Sequence, residues 1–217
     1  MAGGLNADNA RADPLPDCPP AAAENPPIRH FDCTMRSNDQ LGLRFDVRYA
    51  PASTAGRDQP ANVTIEVFDR AGAHAQTIVE PLEKDAGGWP TLVDVDEDGR
   101  DEILVPIQGV PHGSRFRWAL WRATGEAAVF RRQPEMDGIL LWHDPDGYVV
   151  LESIVSYVHV AIAFYKVEEP DFKPVLALLV NTKEQVGDGR CELLGEPDLT
   201  ELGMTSEQAE QVFCAKT

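Results

Sequence analysis

The residues best suited to chemistry lie in one short run, Asp94-Val-Asp96-Glu-Asp98-Gly-Arg100-Asp-Glu102. Carboxylates recur at positions 94, 96 and 98 and again at 102, with Gly99 between the third and the fourth. Alternate residues of a tight loop can aim several oxygens at one centre, and Ca²⁺ is a hard ion that takes about six to eight oxygen ligands. Gly99 accepts the backbone of a sharp turn, so the Arg100 carbonyl can face the same centre. The pattern predicts one Ca²⁺ held by Asp94, Asp96, Asp98, the Arg100 carbonyl and Glu102, with water at any remaining position.

An EF-hand would place a bidentate Glu at the twelfth position, but counting from Asp94 that residue is Val105, inside an apolar run. The flanks, Thr91 to Val95 and Glu102 to Ile107, are β-like rather than helical. The expected frame is therefore strand, loop, strand, with Glu102 completing the cage.

Elements of the same kind surround it. Leu43, Phe45, Val47 and Tyr49 alternate with Arg44, Asp46 and Arg48, which gives a strand one apolar and one charged face. Further strands are expected over Val63 to Phe68, Phe116 to Arg122, Tyr148 to Val155, Tyr157 to Lys166 and Val175 to Asn181, between Gly, Pro and Asp turns. Asp144-Pro-Asp146-Gly147 reads as a hairpin turn. Strand parity sets Phe116, Trp118 and Leu120 toward the core and Trp121 outward with Arg117. Near the end, Thr205-Ser-Glu-Gln208 fits a capping box, followed by Ala209, Val212 and Phe213 at helical spacing.

The fold expected is mostly β: a compact antiparallel domain of propeller-like or sandwich-like strands with a strand-loop-strand calcium site and a short C-terminal helix. Residues 1–27, rich in Ala and Pro without apolar periodicity, read as an extended or disordered arm, and 28–217 as a single domain. Four cysteines allow three connectivities; their spacing favours two local disulfides, Cys18 with Cys33 and Cys191 with Cys214, over buried free thiols. Such bridges point to an oxidising, periplasmic or otherwise extracytoplasmic setting, compatible with a lipid anchor on a longer precursor.

Charge and motifs narrow the function. With 36 acidic and 19 basic residues the net charge is −17, which repels the phosphate backbone and argues against nucleic-acid binding. No apolar run reaches the roughly 18 residues of a membrane span. The histidines, His30, His74, His112, His143 and His159, are scattered without metal-ligand spacing. With no nucleophile elbow, phosphate loop or dinucleotide fingerprint either, binding is expected rather than catalysis, the rival being a hydrolase with an unrecognised pair of carboxylates.

The loop Asp94-Val-Asp-Glu-Asp-Gly-Arg-Asp-Glu-Ile-Leu-Val resembles the calcium loop of FG-GAP and related β-propeller repeats, present here in a single copy. The apolar strand after it, the Gly113-Ser114 turn, the aromatic strand Phe116-Arg-Trp118-Ala-Leu-Trp121 and Gly125 before Phe130 resemble small bacterial proteins related to periplasmic inhibitors of invertebrate-type lysozyme. That group includes immunity proteins against secreted peptidoglycan hydrolases, and the resemblance covers residues 40–180. It implies a Ca²⁺-stabilised protein that presents a loop to the cleft of a lysozyme-like hydrolase. The inhibitors' Ser-Gly-x-x-Tyr motif is absent in literal form. Its partial echoes, His112-Gly113-Ser114-Arg115-Phe116 and Ser153-Ile-Val-Ser156-Tyr157, are the two partner-contact segments the resemblance implies. The competing reading is a calcium-stabilised surface or adhesion module without inhibitory activity.

Overall fold

A computed structural model of the chain describes residues 14–19, 30–51, 60–83, 86, 88–109, 116–123, 125, 127–168, 171–183 and 191–217. Its strands form three antiparallel sheets, each built largely from strands that follow one another along the chain. This is the mostly β architecture that the alternating segments predict.

The first sheet runs β1 (Cys33–Arg36), β2 (Arg44–Pro51), β3 (Pro60–Phe68) and β4 (His74–Pro81). Leu43 and then Phe45 and Val47 of β2 are buried, as are Val63, Ile65 and Val67 of β3, so every second side chain enters the core. β4 breaks that rule. Its inward face carries Ile78 and the buried Glu80, while Val79 is exposed, and apolar alternation alone does not mark it as a strand.

The second sheet holds β5 (Thr91–Val93), β6 (Glu102–Gly109), β7 (Phe116–Ala123) and β8 (Phe130–Arg132), with β9 (Met136–Gly138) pairing the other half of β7. The acidic loop is the β5–β6 connection. β7 is covered on both faces. Ala119 and Ala123 join the core shared with the first sheet, whereas Leu120 joins a separate cluster with Val95, Met136, Val149, Leu151 and Phe172. The expected outward Trp121 is thereby corrected: it packs against the first core, and its indole N–H donates to Glu80 at 2.7 Å. Opposite parity holds for the two tryptophans, but a central strand between two cores has no solvent face.

The third sheet runs β10 (Leu140–His143), β11 (Val149–Ile154), β12 (His159–Glu168), β13 (Asp171–Asn181) and β14 (Cys191–Leu193). Helix α1 (Ser206–Cys214) covers its β14 end. Thr205 and Gln208 form the reciprocal capping box, and Ala209 and Phe213 are buried, Phe213 against Phe164 and Tyr148; Val212 instead faces outward. The Asp144–Gly147 segment is the β10–β11 turn, with Gly147 at φ 86°. Lys216 clasps it by ion pairs to Asp144 and Asp146. Both expected disulfides are present, Cys18–Cys33 and Cys191–Cys214. The first ties residues of the N-terminal arm to β1; the rest of residues 1–27 lies outside the described residues, apart from 14–19.

β9 joins the second and third sheets. Ser153 donates to the Asp137 carbonyl at 2.6 Å, the Ile139 N–H donates to the Glu152 carbonyl at 2.8 Å, and the Trp118 indole donates to the Gly138 carbonyl at 2.9 Å. A Cβ on Gly138 would lie 2.8 Å from the Glu152 carbonyl oxygen and against the Leu151 side chain. Gly138→Ala is expected to destabilise the fold by about 1–3 kcal/mol, the usual cost of overpacking. Urea denaturation checks it: a lower midpoint is expected, and an unchanged midpoint would show that this approach is not tight.

Candidate metal centre

The β5–β6 connection holds its shape through its own carboxylates. Asp94 Oδ2 accepts the Gly99 N–H at 3.0 Å, and Asp98 Oδ1 accepts the Arg100 N–H at 2.8 Å. Gly99 sits at φ 86°, and Glu97, a non-glycine residue, at φ 57°. A side chain rarely adopts that left-handed conformation, so the surrounding contacts impose it.

Asp94, Asp96 and Glu102 converge. One carboxylate oxygen from each lies within 4.8 Å of the others. Glu102 is 0% exposed; its Oε2 accepts the Val95 N–H at 2.8 Å, while Oε1 is buried with no hydrogen-bond partner. Asp94 Oδ1 is likewise buried and unpartnered. An unsatisfied buried carboxylate oxygen costs on the order of a few kcal/mol, and this loop carries two of them.

The remaining predicted ligands sit at the rim. Asp98 is exposed and stands outside the group of three, its carboxylate engaged by the Arg100 backbone. The Arg100 side chain turns away from the loop: Nε donates to Asp39 at 3.1 Å, and the terminal nitrogens donate to the Gly125 and Ala127 carbonyls.

Further residues close on the loop. Arg122 of β7, 1% exposed at its side chain, donates to Asp96 Oδ2 through Nε at 2.9 Å and a terminal nitrogen at 2.5 Å. Asp101, buried next to the loop, accepts the Asn38 N–H at 2.7 Å. His143 of β10 is hydrogen-bonded to the Val95 carbonyl at 2.5 Å, and its other ring nitrogen lies 3.1 Å from Glu97. Arg122 and His143 belong to strands far off in the sequence, where no spacing rule links them to the loop, whereas Asp101 lies in the loop and its partner Asn38 does not.

Of the two partner-contact segments, His112, Gly113, Ser114 and Arg115 lie outside the described residues, and Phe116 begins β7. In the other, Ser153 is buried with its hydroxyl committed to the Asp137 carbonyl, which corrects its reading as a surface contact. Ser156 lies in the β11–β12 turn, its hydroxyl 3.0 Å from His159 Nδ1, and Tyr157 projects from that turn fully exposed.

No protein-family model matches the chain, and no curated protein matches it. A solved structure, described as that of a Xanthomonas Type IV secretion system related protein, is similar over 84% of this chain and 99% of its own length, with a TM-score of 0.47 and 12% identity.

Burial pushes the Glu102 carboxyl up to about 8, and the charges of Asp96, Asp98 and Asp94 add to the shift against the opposing Val95 hydrogen bond. The folded chain thus keeps a proton that an ordinary Glu in the unfolded chain has released. In chelator, stability should fall as pH rises from about 4.5 to about 8 and level off above, because the folded state binds more protons across that window. Glu102→Gln should flatten the decline. Denaturation at a series of pH values reads both, and the same slope in both proteins would show that Glu102 is not its source.

Proposed function

We propose that this chain is an extracytoplasmic binding protein, not an enzyme, whose β5–β6 loop holds one Ca²⁺ and whose exposed loops engage a lysozyme-like peptidoglycan hydrolase. The observation that carries the ion is the pair of buried, unpartnered oxygens, Asp94 Oδ1 and Glu102 Oε1, in one group with Asp96. The residues fit the ion: all are hard oxygen donors, and no nitrogen or sulfur ligand stands among the three. Asp98 and the Arg100 carbonyl lie on the same loop at its rim, and on this reading they or water supply the remaining oxygens. Bound there, the ion supplies positive charge and oxygen coordination. Asp94, Asp96 and Glu102 hold it, Gly99 and Glu97 set the turn, and Arg122 fixes Asp96.

The partner rests on the sequence resemblance to lysozyme inhibitors. Two disulfides suit the oxidising compartment in which cell-wall hydrolases work. The charge of −17 suits the basic surfaces common among enzymes that bind anionic walls. Tyr157 at a hairpin tip, beside the exposed Val155, has the form of an aromatic anchor on a rigid frame.

Calorimetry should show one Ca²⁺ per chain, weak competition by Mg²⁺, and loss of binding in Asp94→Asn/Glu102→Gln. At free Ca²⁺ near 100 times the dissociation constant the fold should gain about 2.7 kcal/mol, raising the melting temperature by roughly 5–11 °C. An unchanged melting temperature at proven saturation would contradict a stabilising ion.

The partner is tested by titrating lysozyme-like hydrolases with wild type, Tyr157→Ala and a Gly113/Ser114 variant, each first shown to fold. Tyr157→Ala is expected to weaken inhibition about tenfold or more, as for a buried interface aromatic. Equal inhibition by all three would remove both segments as contacts. If wild type inhibits none of these hydrolases, the chain is instead a calcium-stabilised surface module.

A further inference from the structure

Arg122 occupies an unusual place for its charge. It stands on β7, a strand buried on both faces, and its side chain and that of Asp96 are only 1% and 2% exposed. Two of its nitrogens converge on one oxygen, Asp96 Oδ2, while the other, Oδ1, accepts a long 3.4 Å bond from the Asp98 N–H. Its guanidinium also lies 5.3 Å from the centre of the Phe172 ring on β13, which fixes it from the side of the third sheet. A fixed positive charge thus sits directly behind a cluster of three carboxylates that is already short of hydrogen bonds.

We propose that Arg122 is the built-in counter-cation of this loop: it holds Asp96 in place when no ion is bound, and its charge opposes an incoming dication and so sets the affinity. This rests on the reading of the loop as an ion site. Without an ion, Arg122 offsets the charge of Asp96 beside Asp94 and the protonated Glu102, and the loop keeps its fold. With an ion present, two cations share the Asp96 carboxylate, one on each oxygen, and repel each other across a short, water-poor distance. The same residue therefore stabilises the ion-free chain and weakens ion binding. A residue that only shaped the loop would do the first and not the second.

Two variants separate charge from shape. Arg122→Gln removes the charge and keeps a donor; Arg122→Lys keeps the charge but loses the planar guanidinium. The probe is Ca²⁺ alone, read by calorimetry and by melting with chelator and with saturating Ca²⁺. For Arg122→Gln the expected result is a lower melting temperature in chelator, a larger rise on adding Ca²⁺ than wild type shows, and binding about tenfold tighter. Folding only in the presence of Ca²⁺ would be the extreme form of that result. Arg122→Lys should bind Ca²⁺ within about threefold of wild type, and this comparison alone carries the test should Arg122→Gln fold under neither condition. Unchanged or weaker binding in Arg122→Gln, or clearly tighter binding in Arg122→Lys, would overturn the proposal. Wild type that takes up no Ca²⁺ would instead sink the ion reading itself, and the two failures are told apart by that first titration.

Discussion

Acidic groups brought together out of water are the constraint on which this structure turns. Asp94, Asp96 and Glu102 meet at the start, middle and end of one loop, and Glu102 is wholly buried. Such a group can persist only where positive charge, bound hydrogen or a cation offsets it. Backbone N–H groups of Val95 and Gly99 satisfy one oxygen each of Glu102 and Asp94, and Arg122 takes one of Asp96. The second oxygens of Glu102 and Asp94 are left over, and they give the loop its chemical character.

The loop is also where the three sheets meet. Arg100 and Asp101 reach the β1–β2 turn of the first sheet through Asp39 and Asn38, Arg122 belongs to the second sheet, and His143 to the third. Val95, between two of the acids, is buried in the apolar cluster that separates the second and third sheets. Loosening the loop would therefore free contacts to all three sheets at once. The disulfides act elsewhere, one at β1 and one at the β14–α1 end, so the middle of the chain relies on this junction.

Features set by near neighbours in the chain were legible from the residues. Alternation marked β2 and β3, the Thr205 capping box marked α1, and the spacing of the cysteines favoured both local bridges. The carboxylate spacing found the loop and its two strands. What stayed hidden depended on partners distant in sequence. Glu80 lies inward on β4 because Trp121 and Arg132 supply its donors, and nothing near residue 80 announces them. Arg122 reads as the polar neighbour of an aromatic until β7 is known to be central, and only then does its charge require a buried acid. The same burial on both faces explains why Trp121, assigned to solvent by parity, is a core residue.

The proposed cation would complete the Asp94–Asp96–Glu102 group. The most direct test is a crystal structure grown in Ca²⁺, with anomalous diffraction data collected at long wavelength. The expected result is a single anomalous peak about 2.3–2.6 Å from carboxylate oxygens of Asp94, Asp96 and Glu102. A crystal in which Glu102 Oε1 and Asp94 Oδ1 meet only water, with no anomalous signal between them at millimolar Ca²⁺, would contradict it.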